Sequence, residues 1–196
     1  GSLPGGGAEI FDDRVHAEVF KGKVGENKWF EVHRTAHALG LFSNATILYG
    51  HVETIEERVT HFIKLRELQA ESLRLAGLDD PPTGDRATEQ TGENAHAPSP
   101  TSNGQPATTN ASSRAYFNCV IPLSFIPDHS ELAHLPGPTG LTDLKTLAIA
   151  RLMLHNIAHI KAFWIMQTPA LSQLALNWGC DDFDGTVVWY DITKRE

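Results

Sequence analysis

The stretch Ser43-Asn-Ala-Thr-Ile-Leu-Tyr-Gly-His-Val-Glu-Thr54 constrains the fold more than any other part of the chain. A short apolar, partly β-branched run passes into a polar turn with a glycine. Thr54 and Glu57 then form a capping box that opens a long helix with Ile55, Val59, Phe62 and Ile63 on its buried stripe. A parallel strand buried on both faces cannot carry Tyr, His and Glu in its middle. Tyr49, His51 and Glu53 therefore belong at the strand's carboxyl end, where parallel α/β folds place ligands.

The same strand-to-turn passage recurs along the chain. A stub before Pro4 runs into Gly5-Gly-Gly7, Tyr116 to Leu123 reads as a strand, His159 to Met166 as another and Gly185 to Val188 as a last short one. Between them, Asn27 to Gly40 is expected to be a helix with Trp29, Val32, Ala36 and Leu39 inward. Thr142 and Asp143 start a second helix that buries Leu144, Leu147, Ala148 and Leu152 and ends near His155, and Pro169 to Trp178 forms a third. Alternation of this kind predicts an α/β fold with a parallel sheet and right-handed crossovers, either more than half of a βα barrel or an open doubly wound sheet.

From Asp79 to Arg114 there is no Val, Leu, Ile, Met, Phe, Trp or Tyr. That stretch cannot offset its ordering entropy by burial, so a disordered surface insertion in a single domain spanning 1–196 is expected. Lengthening a loop costs only ~0.6 kcal/mol of closure entropy per doubling. The opening Gly1-Ser-Leu-Pro4 has neither leader nor initiator Met, and the chain reads as part of a longer protein.

Composition excludes some partners. A formal net charge of -8 without a basic cluster argues against nucleic acid, and no run approaches the length of a membrane helix. With no secretory signal in view, a cytoplasmic location is the default. Cys119 and Cys180 are far apart and lack C-x-x-C or iron–sulfur spacing, and Cys119 reads as a packing residue.

Several residues invite a chemical reading. Pro4-Gly-Gly-Gly-Ala-Glu9 lets backbone approach a ligand, with Glu9 able to grip hydroxyls or an ammonium group, although glycine clusters also simply turn chains. Arg14 could clamp a carboxylate or sit in solvent. Tyr49, His51 and Glu53 alternate and are expected to project to one side. An acid/base pair, a metal pair, a cofactor edge and a structural network all remain open for them. His33 and His37 have the i, i+4 spacing of helical metal ligands but fall off the apolar stripe, which predicts a surface position; His155 and His159 straddle a helix end. Asp128, His129, Glu131 and His134 occupy a long loop bounded by Pro127, Pro136 and Pro138, suited to a lid or to substrate contact.

Leu3-Pro-Gly-Gly-Gly-Ala-Glu-Ile-Phe11, Glu31-Val-His-Arg-Thr-Ala-His37, Ser43 to Arg58, Leu65-Arg-Glu-Leu-Gln69, Glu131-Leu-Ala-His-Leu-Pro-Gly-Pro-Thr-Gly140, Asp143-Leu-Lys-Thr146 and Ala150-Arg-Leu-Met-Leu154 together resemble the aminofutalosine synthase family. These are radical S-adenosylmethionine enzymes of the futalosine route to menaquinone. The resemblance spans nearly everything outside 79–114. It implies a partial radical SAM (β/α) barrel, roughly strands 4 to 8 in the C-terminal part of such an enzyme. It also implies a [4Fe-4S] cluster on an upstream C-x-x-x-C-x-x-C loop that this chain lacks, so no metal ligand is expected here. The family's reaction adds the 5′-deoxyadenosyl radical to 3-[(1-carboxyvinyl)oxy]benzoate, a transferase step that forms a carbon–carbon bond, with a flavodoxin or ferredoxin as reductant.

By the same resemblance, Glu9, Thr46, Tyr49, Gly50 and Glu53 fall on the S-adenosylmethionine side and Arg14, His51, Asp128 and His134 on the substrate side, with no catalytic residue assigned. Thr46 and Leu48 replace the first Gly and the Ile of the family's G-x-I-x-G-x-x-E strand. The related dehypoxanthine futalosine cyclase shares the Tyr-Gly-His-Val-Glu-Thr turn, while the Leu132 to Gly140 loop favours the synthase. A non-catalytic half-barrel binding module and a His-based metallohydrolase barrel are the alternatives from other classes.

Overall fold

A computed structural model describes residues 1–78 and 114–185. The expected insertion, Arg114 apart, and the strand expected after Gly185 lie outside the described residues. Five parallel strands form one sheet in the order β1-β2-β3-β4-β5: β1 (Ser2–Leu3), β2 (Phe42–Tyr49), β3 (Phe117–Ser124), β4 (His159–Ala162) and β5 (Asp182–Phe183). The helices are α1 (Asp13–Val19), α2 (Glu26–Ala38), α3 (Ile55–Ala76), α4 (Gly140–Met153), α5 (Trp164–Gln167) and α6 (Pro169–Ala175), the last followed by a 3-10 turn at Leu176–Trp178. No described helix is long and apolar enough to cross a membrane.

The strand order decides between the two parallel architectures. A doubly wound sheet reverses direction at a switch point, whereas here each strand pairs with the next in sequence. Right-handed crossovers that never reverse put every helix on one face, the winding of a barrel arc. Register identifies the faces. Ala45 pairs with Val120 and Val120 in turn with Ile160, Ile47 pairs with Pro122 and Tyr49 with Ser124, and all of these side chains are buried under the helices. The alternate set, Asn44, Thr46 and Leu48 on β2, Cys119, Ile121 and Leu123 on β3, His159 and Lys161 on β4 and Asp182 on β5, forms the helix-free face.

The core lies between the sheet and α2, α3 and α4. Phe11, Trp29, Ile47, Phe62, Leu65, Phe117, Leu147 and Ile160 anchor it, each 4% exposed or less. Polar groups also enter it with partners. On α2 the inward stripe is Trp29, His33, Ala36 and His37, while Val32 and Leu39 are exposed. The surface position expected for His33 and His37 is thus overturned. The Ser43 hydroxyl of β2 sits 3.0 Å from His33 Nδ1 and 2.8 Å from His37 Nε2, and the Ser72 hydroxyl of α3 sits 2.7 Å from His37 Nδ1. Hydrogen bonding removes most of the penalty for taking imidazole out of water. Burial holds both rings neutral, pushing each down to about 4.

Gln69 of α3 does similar work. Its Oε1 accepts from Phe117 N–H at 2.9 Å, and its Nε2 donates to the carbonyls of Phe117 at 3.1 Å and Asn156 at 3.0 Å, so one amide ties a helix to the start of β3 and to the approach to β4. Other expectations about faces also shift. α3 buries His61, Phe62, Leu65, Leu68 and Leu73 and leaves Ile55 exposed; α4 buries Asp143, Thr146, Leu147 and Ala150 and leaves Leu152 78% exposed. The strand expected to reach Met166 stops at Ala162, where the chain turns into α5.

Candidate functional site

Three segments meet at the carboxyl end of β2. The first is the continuation of β1, which runs so close to β2 that a Cβ on Gly5 would lie 1.7 Å from the Asn44 carbonyl oxygen. Gly5 N–H donates to Asn44 Oδ1, Thr46 Oγ1 donates to the Gly5 carbonyl, and Leu48 N–H donates to the Glu9 carbonyl at 2.8 Å. Glu9 ends this seam with φ +47°, a left-handed conformation unusual for a side chain with a Cβ, and its carboxylate meets Lys23 Nζ at 2.8 Å.

The second segment is the turn after β2. Gly50 takes φ +91°, which reverses the chain where a strand would have continued. The alternation expected to aim Tyr49, His51 and Glu53 into one opening therefore fails at its first step. Tyr49 points under the helices, fully buried; its hydroxyl donates to Asp143 Oδ1 at 2.8 Å and accepts from Gln167 Nε2 at 3.1 Å. Burial first, and Asp143 second, push this phenol well above its ordinary range. Ser124 also donates to Asp143, so one carboxylate organises the ends of β2 and β3.

Glu53 folds back on its own turn with its side chain fully buried. Oε1 accepts from Gly50 N–H at 2.6 Å and from Arg58 Nη2 at 2.5 Å, and Oε2 accepts from His51 N–H at 2.9 Å. Arg58 continues to Thr146 of α4 and lies over the Tyr49 ring. His51 Nε2 donates to the Leu48 carbonyl at 3.0 Å, and its Nδ1 lies 3.3 Å from Glu53 Oε2 without a hydrogen bond. Burial pushes the His51 imidazole down, against the pull of Glu53. Of the readings open for these residues, a structural network describes Tyr49, Glu53 and His51.

The third segment is the loop 125–139. Phe125 N–H donates to the Tyr49 carbonyl at 2.9 Å and its ring packs edge-on to His51, while Pro138 lies against Gly50. Its tip differs from its base. Asp128, His129, Glu131 and His134 are exposed, and none of their side chains makes a hydrogen bond or ion pair with the described residues. His129 also has a left-handed φ of +60°.

The structure therefore gathers Glu9, Gly50, His51, Glu53 and the base of the proline loop at one strand end. Thr46 is nearby on the helix-free face. Arg14 stands apart from that face: it makes two 2.7 Å bonds to Glu57, one to Glu18 and one to the Val52 carbonyl. The guanidinium holds Glu57 down at about 2. Sequence reading missed Asp143, Arg58 and Gln167, which build the buried network, and Lys161, which faces the helix-free side between Asp182 at 3.5 Å and Asp184 at 3.1 Å. Asp143 was visible as a cap-region acid, but nothing local tied it to Tyr49.

The cysteines do not suit a metal cluster. Burial pushes the Cys119 thiol up to about 11 and the Cys180 thiol up to about 12, whereas a cluster ligand must be a thiolate. Among the described residues, no three His, Cys, Asp or Glu side chains are placed to hold a metal ion.

No known family profile matches the chain. Individual proteins do. Across 95% of its length the chain is 41% identical to the aminodeoxyfutalosine synthase of Thermus thermophilus, and across 98% it is 34% identical to that of Streptomyces coelicolor. The chain resembles aminodeoxyfutalosine synthase. Weaker similarity, 31% identity across 99% of the chain, extends to the 5-amino-6-(D-ribitylamino)uracil–L-tyrosine 4-hydroxyphenyl transferase of Archaeoglobus fulgidus. The chain spans 40% and 41% of the two aminodeoxyfutalosine synthases and 45% of the transferase. All three names are those of enzymes.

Proposed function

We propose that this chain supplies one arc of the barrel of an aminodeoxyfutalosine synthase, a radical S-adenosylmethionine transferase. That enzyme forms a carbon–carbon bond between the 5′-deoxyadenosyl group and 3-[(1-carboxyvinyl)oxy]benzoate. The observation that carries the reading is the 41% identity to such a synthase over 95% of the chain. The sheet supports it, because strands wound in one sense leave a helix-free face to enclose ligands.

A [4Fe-4S] cluster would supply the electron that cleaves S-adenosylmethionine, with a flavodoxin or ferredoxin as donor. Cys119 and Cys180 do not fit that cluster, so its ligands belong to other parts of the protein. The chain's own contribution is shape and polarity. Leu48, Ile121 and Leu123 give the helix-free face an apolar surface for aromatic rings, and excluding water there protects a reactive intermediate. Glu9 and Thr46 stand on the adenosyl side, and Gly50 and Glu53 shape the turn beside them. Asp128 and His134, without partners among the described residues, are the groups left to meet the substrate. Arg14 and His51 serve the scaffold.

The test is an anaerobic assay of the full-length protein with a reductant, S-adenosylmethionine and 3-[(1-carboxyvinyl)oxy]benzoate, read by mass spectrometry. A product joining the adenosyl and benzoate parts is expected. Absence of that product, with free 5′-deoxyadenosine formed only when dehypoxanthine futalosine is supplied, would transfer the chain to the cyclase.

A further inference from the structure

Pro138 occupies space that only a glycine at position 50 leaves open. A Cβ on Gly50 would meet Pro138 Cγ at 2.7 Å and Cβ and Cδ at 2.8 Å, so the pyrrolidine ring lies face-on to the bare Cα. Gly50 is also held at φ +91°, which a larger residue adopts only with strain. Position 50 thus gives both the turn and a seat for the loop.

The base of the loop is closed in two further places. A Cβ on Gly137 would lie 3.1 Å from Pro127 Cδ and 3.5 Å from the Phe125 carbonyl oxygen, so the two legs of the loop touch at their neck. Thr139, next to Pro138, caps α4 by accepting from Thr142 N–H. With Phe125 bonded to Tyr49 on the entering leg and Pro138 seated on Gly50 on the leaving leg, both legs stand on the same turn. The tip from Asp128 to His134 has no comparable attachment among the described residues.

We propose that Pro138 is a positioning residue: seated on Gly50, it fixes the tip of the 125–139 loop over the end of β2, so that the groups of the tip meet a bound aromatic carboxylate from one set place. The inference rests on the functional reading above for the identity of that ligand, but the mechanical coupling of loop to turn does not depend on it. Proline stiffens the leaving leg by restricting φ, and the contact with Gly50 sets where the stiff leg stands. Losing the ring lets the tip sample other placements, a cost that binding must then meet.

The experiment uses the full-length protein and the Pro138→Ala and Gly50→Ala variants. For Pro138→Ala, KM for the benzoate substrate rises by about tenfold, while KM for S-adenosylmethionine and turnover at saturation change by less than about twofold. Amide hydrogen exchange at 128–136 speeds up while exchange in β2 stays the same. Gly50→Ala disturbs both KM values, because it displaces the ring and strains the turn. Equal changes in both KM values for Pro138→Ala, or unaltered exchange at the tip, would overturn the proposal. If the wild-type protein does not turn over the benzoate at all, the functional reading falls, and the exchange measurement alone decides whether Pro138 holds the loop.

Discussion

The turn from Gly50 to Thr54 and the loop tip from Asp128 to His134 share a point of attachment yet treat polarity in opposite ways. In the turn, Glu53 takes donors from Gly50, His51 and Arg58 and leaves nothing for a ligand. In the tip, two carboxylates and two imidazoles are exposed, without partners among the described residues. Both look equally functional as strings of letters. The difference teaches that a polar residue at a strand's carboxyl end is a candidate for chemistry only after its local debts of hydrogen bonding are known.

The sharpest way to break this comparison is to remove the centre of the closed turn. Glu53→Ala leaves Arg58 buried without its carboxylate and two backbone N–H groups unsatisfied, and is expected to cost ~3–5 kcal/mol of stability in urea denaturation. A loss below about 1 kcal/mol would make the turn as open as the tip.

A second test uses the other closed network, on α2. His33 and His37 stand at about 4 in the folded protein, below the ordinary imidazole value of 6.5. The unfolded chain therefore binds more protons below about pH 6.5. The stability these two rings contribute falls as pH drops from there to about 4, and their share of the loss levels off beneath it. Denaturation at pH 7 and pH 4.5 should show His33→Gln losing ~1–2 kcal/mol less than the wild type over that interval. Equal acid sensitivity would mean that the ring titrates freely.

The smallest effect belongs to the tip. His134→Ala and Asp128→Ala are each expected to shift stability by less than ~0.5 kcal/mol, measured in the same urea titrations, because neither side chain has a partner to lose among the described residues. A loss as large as that of Glu53→Ala would erase the distinction between the two regions.

Much of the architecture was legible in local pattern. The strand at Phe42–Tyr49, the capping box at Thr54 and Glu57, and the strand at Phe117–Ser124 all follow from residues within a few positions of each other. Helix faces were less legible. Counting apolar residues on α2 selects Val32 and Leu39, but the helix turns His33 and His37 inward because Ser43 and Ser72 wait on a strand and on another helix. No window of one helix contains that information. α1 escaped notice because its seven residues carry only one buried side chain, Val15, and its start depends on Asp12 accepting from Val15 N–H. The candidate site was legible in location and not in role. Glycine and polar letters marked the end of β2, yet the partners that commit Tyr49, Asp143 and Gln167, lie more than ninety residues from Tyr49.

Gln69 carries a last consequence. Its amide nitrogen gives two protons to two carbonyl oxygens, and its oxygen takes one from a backbone N–H. A side chain of identical outline with a second oxygen in place of the nitrogen would set like charge against both carbonyls. Shape is therefore a poor guide to what this position accepts: hydrolysis of one amide, a change that ageing proteins undergo without altering their bulk, would turn a clasp into a wedge.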